Sequence, residues 1–183
     1  TDTLLLGQTL CFSSDPFQAP WQEVTTHRRD GAVLLRGGQI AEVGARAALC
    51  QAHPGAKIID YGADLIVPGF VDAHVHYPQT AIIASWGKRL IDWLNSYTFP
   101  EEMRLADPDY AAKIAGRYLD IALSHGTTTM ASYCTSAPVS VTAYFEAAQA
   151  RGMRVVGGKT CMDRNAPDGL IDTAQSAYDD SKD

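Results

Sequence analysis

Cysteine is scarce and unpaired in this sequence, with Cys11, Cys50, Cys134 and Cys161 scattered and no CxxC motif. That argues against a Cys-rich zinc site and a disulfide framework. The thiols are expected to be reduced, as in a cytoplasmic protein, and to act as small core residues. No apolar run approaches the ~20 residues of a bilayer span. The opening TDTLLLGQTLCFSSD lacks the basic start and long apolar stretch of a signal peptide, which again suits the cytoplasm. Positive charge is short too. Lys and Arg number 15 against 21 Asp and Glu, a net charge of -6 without any basic run, which favours solubility and argues against general nucleic-acid binding. Gly37, Gly38 and Gly44 do not have GxGxxG spacing and open no helix, so a dinucleotide site has little support. The HxE and PCxxC signature of cytidine-deaminase-like enzymes is absent.

What is present divides into two regions. In residues 1–66 the segments TLLL, AKIID and DLIV are short and turn-bounded, so this part is expected to be all-β. AVLLRGGQIAEVG predicts a hairpin, because Gly37 and Gly38 can both take the positive φ of a type I′ turn. From residue 67 the pattern is α/β. LIVPGFVDAHV reads as a buried strand run. PDYAAKIAGRYLDIALSHG predicts a helix capped by Asp107, with Pro108 at its first position, Gly126 at its end, and Ala111, Ile114, Ala115, Tyr118, Leu119 and Ala122 on one face. TTTMASY predicts a strand, PVSVTAYFEAAQARG a helix with Val141, Tyr144, Phe145 and Ala148 inward, and MRVVGGK another strand. Alternating strands and helices imply a parallel sheet, doubly wound or closed into a barrel. GLIDTAQSAYDDSKD begins like a helix capped by Asp172 but brings no further strand. Three parallel strands would leave apolar faces uncovered, so the chain is expected to be incomplete as a folding unit.

The stretch PGFVDAHVHYPQT places two of the five histidines one residue apart. Residues i and i+2 of a strand share a face, so His74 and His76 project together, which suits one metal ion. A hydrogen-bonded pair of strand histidines accounts for HxH equally well, and spacing alone does not choose between them. Asp72 is expected on the same face, deeper in the strand, as a group orienting a histidine rather than a ligand. Trp86, Leu90, Trp93 and Leu94 fall at helical spacing, which predicts a packed helix face.

PGFVDAHVH, preceded by a β-rich segment carrying RGGQIAEVG, resembles the entry to the metal-dependent amidohydrolase superfamily. VHYPQT, LIDWLNSYTFPEEMR, SHGTTTM and GGKTCMDRNAP are similar to the guanine deaminases within it. The likeness covers nearly the whole chain but only the N-terminal part of that family. It implies that residues 1–66 belong to a composite β-sandwich and residues 67–183 to the first part of a (β/α)8 TIM-like barrel, incomplete here. His74 and His76 would ligate one Zn²⁺, Gln79 would hydrogen-bond the base, and Trp93 or Phe99 would line the pocket. The implied reaction is zinc-dependent hydrolytic deamination of guanine, a small-molecule purine, to xanthine and ammonia, in a homodimer of the complete protein. The general acid/base glutamate and the remaining ligands would lie beyond Asp183, so this chain alone is expected to be inactive. A related heterocycle as substrate, or a structural or interaction role for the chain, are the alternatives. Thr127, Thr128 and Thr129 read as the start of a strand. Lys159 follows the third barrel strand rather than the fourth, which argues against a metal-bridging carboxylated lysine. His27, His53 and His125 are isolated, the last at a helix C-terminus.

Overall fold

The structure, a computed structural model, describes residues 2–182. These residues divide into two compact units between Pro68 and Gly69.

The first unit is a four-stranded sheet in the order β3-β2-β1-β4, built from β1 (Thr3–Phe12), β2 (Thr25–Arg36), β3 (Gln39–Ala45) and β4 (Lys57–Ile66). β1 and β2 are antiparallel, as are β2 and β3, while β4 runs parallel to β1. The expected hairpin is present: Gly37 and Gly38 join β2 to β3 with φ of 59° and 79°. The expectation of an all-β region needs correction. Helix α1 (Trp21–Val24) and helix α2 (Arg46–Ala52) interrupt it, and AKIID and DLIV are two halves of one strand, β4. Helix α2 contributes Leu49 to a core with Leu4, Leu6, Ala32 and Leu34, which one face of a β-sheet could not enclose alone.

The second unit holds a parallel sheet in the order β5-β6-β7, formed by β5 (Phe70–His76), β6 (Thr127–Tyr133) and β7 (Arg154–Gly158). LIVPGFVDAHV is not one buried strand, because β4 stops at Ile66 and β5 starts at Phe70, and both Phe70 and Val71 are exposed. Between β5 and β6 the chain forms a 3₁₀ turn (Tyr77–Ile82) and helices α3 (Leu90–Trp93), α4 (Phe99–Arg104) and α5 (Pro108–Ser124). Helix α6 (Pro138–Ala150) links β6 to β7, and α7 (Ala174–Lys182) follows β7.

Helix α5 has the predicted start, with the Asp107 side chain accepting a hydrogen bond from the Tyr110 N–H at 3.0 Å. Its residues Ala111, Ile114, Ala115 and Leu119 pack with Met130 of β6 and with Ala143, Tyr144 and Ala148 of α6 into one core. Phe145, expected inward, is 41% exposed, because the inward stripe of α6 runs through Ala143, Tyr144 and Ala148. The cap of α7 is Thr173, whose Oγ1 accepts from the Ser176 N–H at 3.0 Å, and not Asp172. Asp172 instead holds Lys159, whose buried Nζ donates to both carboxylate oxygens at 2.8 Å and to the Ser136 carbonyl at 2.5 Å.

Gly69 of the PGF motif has a steric reason. A Cβ there would lie 2.1 Å from Thr128 Oγ1, so only glycine lets the start of β5 approach β6 this closely. All four cysteines are free, with Cys134 buried and Cys161, contrary to its expected core role, exposed. Among the described residues no helix is long and apolar enough to cross a membrane.

Candidate functional site

The end of β5 is shaped by a bulge. Asp72 pairs with Met130 and Val75 with Ser132, so three steps along β5 match two along β6. One extra residue resets the alternation, and the residues on either side of it return to the same face. Met130 is in the helix-covered core, and its partner Asp72 lies on that side, where burial first and then the Asp72 charge raise the pKa of Tyr118. Val75 packs on the same core. This corrects the placement of Asp72 on the histidines' face. Its carboxylate accepts from the backbone N–H of His74 at 3.1 Å, which braces the bulge rather than a ring.

His74 and His76 do share a face, with ring centroids 5.6 Å apart. Tyr133, paired with His76 across the sheet, packs against both rings: 5.1 Å from His74, and stacked on His76 at 4.8 Å. Burial, then the neighbouring charge of His74, lowers the His76 pKa below its ordinary 6.5, so this imidazole is neutral at pH 7, the form that ligates metals. The next residue, Tyr77, turns into the core. Its phenol donates to the Ser140 carbonyl at 2.6 Å, its ring stacks on Tyr144 at 5.1 Å, and its backbone N–H donates to Ser132 Oγ at 3.1 Å. The strand end that carries the histidines is thereby anchored to β6 and α6.

His74, His76, Gln79 and Trp93 line one cavity of about 380 Å³, together with Ser85 and Tyr118 among others. Gln79 sits in the 3₁₀ turn and donates from Nε2 to Glu102 Oε1 at 3.2 Å. Trp93 Nε1 donates to Ser85 Oγ at 3.0 Å, which fixes the indole against the wall. Ala84, also in that wall, has a φ of 64°, a left-handed conformation that an alanine adopts at a cost of about 1–2 kcal/mol. Such strain gathers at functional sites.

The packed helix face expected from Trp86, Leu90, Trp93 and Leu94 does not form. Trp86 precedes α3 and is 75% exposed, and Leu90 is exposed as well. A π-helical turn over Leu94–Thr98 separates α3 from α4. Pro100 supplies the cause, since it has no N–H to donate and its ring would crowd the Ser96 carbonyl in a regular α-helix. Phe99, the other aromatic expected at the pocket, is buried and does not line it.

Two residues escaped the sequence reading. Glu102, on α4, is 7% exposed; burial raises its pKa and the Gln79 N–H partly offsets this. Helical periodicity holds no sign of its role. Tyr133 was detectable in principle, because the C-terminal ends of adjacent parallel strands border the same rim.

His27 is hydrogen-bonded to Gln8 at 3.0 Å, His53 lies 4.0 Å from Glu42, and His125 caps α5 through its contact with the Ile121 carbonyl at 2.9 Å. Among the described residues, no group of three or more His, Cys, Asp or Glu side chains is positioned to hold a metal.

Residues 65–183, which contain the histidine pair and its cavity, match the amidohydrolase family. The chain belongs to that family. Residues 31–56 match an imidazolonepropionase-like composite domain of bacteria. The guanine deaminase of Escherichia coli (strain K12) is 44% identical over 154 residues, covering 84% of this chain and 35% of the relative. A crystal structure of guanine deaminase from Bradyrhizobium japonicum superposes with a TM-score of 0.90 at 38% identity, over 100% of this chain and 40% of that one. Guanine deaminase from C. acetobutylicum, with guanine bound in its active site, gives 0.82 at 29% identity, over 100% of this chain and 42% of that one. This amidohydrolase chain thus spans well under half the length of the relatives it matches. Family membership points to a metal cofactor, and the fold is the mixed α/β arrangement of the guanine deaminase structures.

Proposed function

We propose that this chain carries two metal ligands and the base-contacting side chains of a zinc-dependent guanine deaminase, which hydrolyses guanine to xanthine and ammonia. One observation carries the reading: His74, His76, Gln79 and Trp93 converge on a single cavity at the C-terminal end of a parallel strand, the rim where barrel enzymes assemble their sites. In this reading residues 1–66 are part of a composite β-sandwich, and residues 67–183 open a (β/α)8 barrel. The further ligands and the proton-transferring glutamate come from segments outside this chain, so the chain alone is inactive. The complete protein is a cytoplasmic homodimer acting on a small-molecule purine.

The donor set fits zinc, a borderline metal that accepts neutral imidazole. His74 and His76 would hold the ion from one side, with Tyr133 packed against both rings and limiting their rotation. When bound, zinc supplies Lewis acidity that brings the pKa of water towards neutrality. Gln79 would hold the purine by its ring edge, since a carboxamide presents a donor and an acceptor together. The indole of Trp93 would form part of the wall of the cavity that the histidines also line.

The test is paired, on the full-length protein. His76→Ala should lose both zinc and turnover, because a site with one ligand fewer binds metal poorly. Gln79→Ala should keep zinc and lose about tenfold in kcat/KM for guanine, equivalent to one hydrogen bond of ~1–1.5 kcal/mol. Wild-type kcat/KM in Gln79→Ala would remove that side chain from the site. Full zinc content in His76→Ala would remove the metal reading.

A further inference from the structure

Glu102 is a buried acid with no salt-bridge partner among the described residues. Its neighbour Glu101 is equally buried but is paired with Arg104 at 2.8 Å and accepts the Tyr110 hydroxyl. Glu102 has neither, and among the described residues its one side-chain hydrogen bond comes from Gln79. Glu102 itself does not line the cavity, whereas Gln79 does.

A carboxylate can only accept. Gln79 must therefore turn its NH2 end to Glu102, which leaves its carbonyl oxygen and one remaining N–H for whatever enters the cavity. The two ends of a carboxamide are nearly equal in size, so without Glu102 either orientation would fit. We infer that Glu102 is a positioning residue, which through this hydrogen bond holds the Gln79 amide in one of its two orientations. The enzyme thereby selects heterocycles by the order in which N–H and acceptor occur along a ring edge. The inference rests on the reading of Gln79 as the base-binding side chain.

The experiment uses the full-length protein in four forms: wild type, Gln79→Ala, Glu102→Gln, and the double variant. Two constants are measured, kcat/KM for guanine in the zinc-loaded protein and the guanine Kd of the metal-free protein, alongside zinc content and Tm. Glu102→Gln replaces an acceptor with a second carboxamide of the same shape, so Gln79 can turn either way. The expected result is about a tenfold loss in both constants when Gln79 is present and under about twofold in the Gln79→Ala background, with zinc content unchanged. Equal losses in the two backgrounds, or no loss with Gln79 present, overturn the inference and leave base binding by Gln79 standing. Wild-type constants in Gln79→Ala overturn both. If the wild type binds guanine without turning it over, deamination falls, and the coupling in Kd still decides the role of Glu102. Should Glu102→Gln fold poorly, Glu102→Asp, which withdraws the carboxylate by one methylene, must show the same Gln79-dependent loss.

Discussion

Tyr77 tests whether the metal-binding strand end is held from below. It directly follows His76 and is fully buried, its hydroxyl donating to the Ser140 carbonyl at 2.6 Å and its ring stacked on Tyr144. Tyr77→Phe removes one buried hydrogen bond and keeps the ring. The Ser140 carbonyl remains within helix α6, so the cost should be about 1 kcal/mol. Tyr77→Ala removes the ring and leaves a cavity, for about 3–5 kcal/mol. The fixed point for His76 goes with it, and zinc affinity should fall by roughly 10–100-fold, as when a ligand's orienting partner is removed. Urea unfolding and zinc titration of the full-length protein measure both. Burial pushes the Tyr77 pKa above its ordinary 10.0. The folded state therefore disfavours ionisation, and wild-type stability is lost as pH rises past 10. Tyr77→Phe escapes that loss, so the stability gap should close and then reverse in alkali. Wild-type zinc affinity in Tyr77→Ala would refute the anchoring argument, and a gap independent of alkaline pH would refute the burial argument.

Three further outcomes are expected. Lys159→Ala should destabilise by about 3–5 kcal/mol, because Asp172 is left buried without its ammonium; Lys159→Met with Asp172→Leu should recover much of this, and neither should alter zinc content. Zinc affinity should decline as pH falls, since protonation of His76, whose pKa is depressed by burial and then by the neighbouring His74, competes with ligation; an affinity that stays constant into acid, read from zinc titrations over a pH series, would contradict ligation by that imidazole. Glu102 has a raised pKa, so its contribution to stability is present below the ordinary carboxyl value of 4.5 and is lost as pH rises through the folded value; Glu102→Gln should therefore gain stability relative to wild type across that rise, and a pH-independent difference in urea unfolding would refute it.

Local chemistry in the sequence determined much of this protein. The hairpin followed from two adjacent glycines, helix α5 from Asp107-Pro108 and a 3.6-residue apolar period, and the parallel direction of β5, β6 and β7 from strands alternating with helices. The common face of His74 and His76 followed from a period of two within a strand. These features depend on backbone preferences within a few residues, which is why they could be read directly. The tertiary structure decided the rest. A bulge caused by mismatch with β6 moved Asp72 to the opposite face. Helix α3 starts only at Leu90, which leaves Trp86 outside it, and a π-helical turn follows from Leu94, so Trp86, Leu90, Trp93 and Leu94 form no common packed face. Lys159 drew Asp172 away from the cap of α7, and Thr173 took its place. Most consequential for the site, Glu102 reached Gln79 across 23 residues of chain. Two polar groups so far apart in sequence leave no periodic trace, and only the packing of α4 beside the 3₁₀ turn removes them from water and makes each the other's partner.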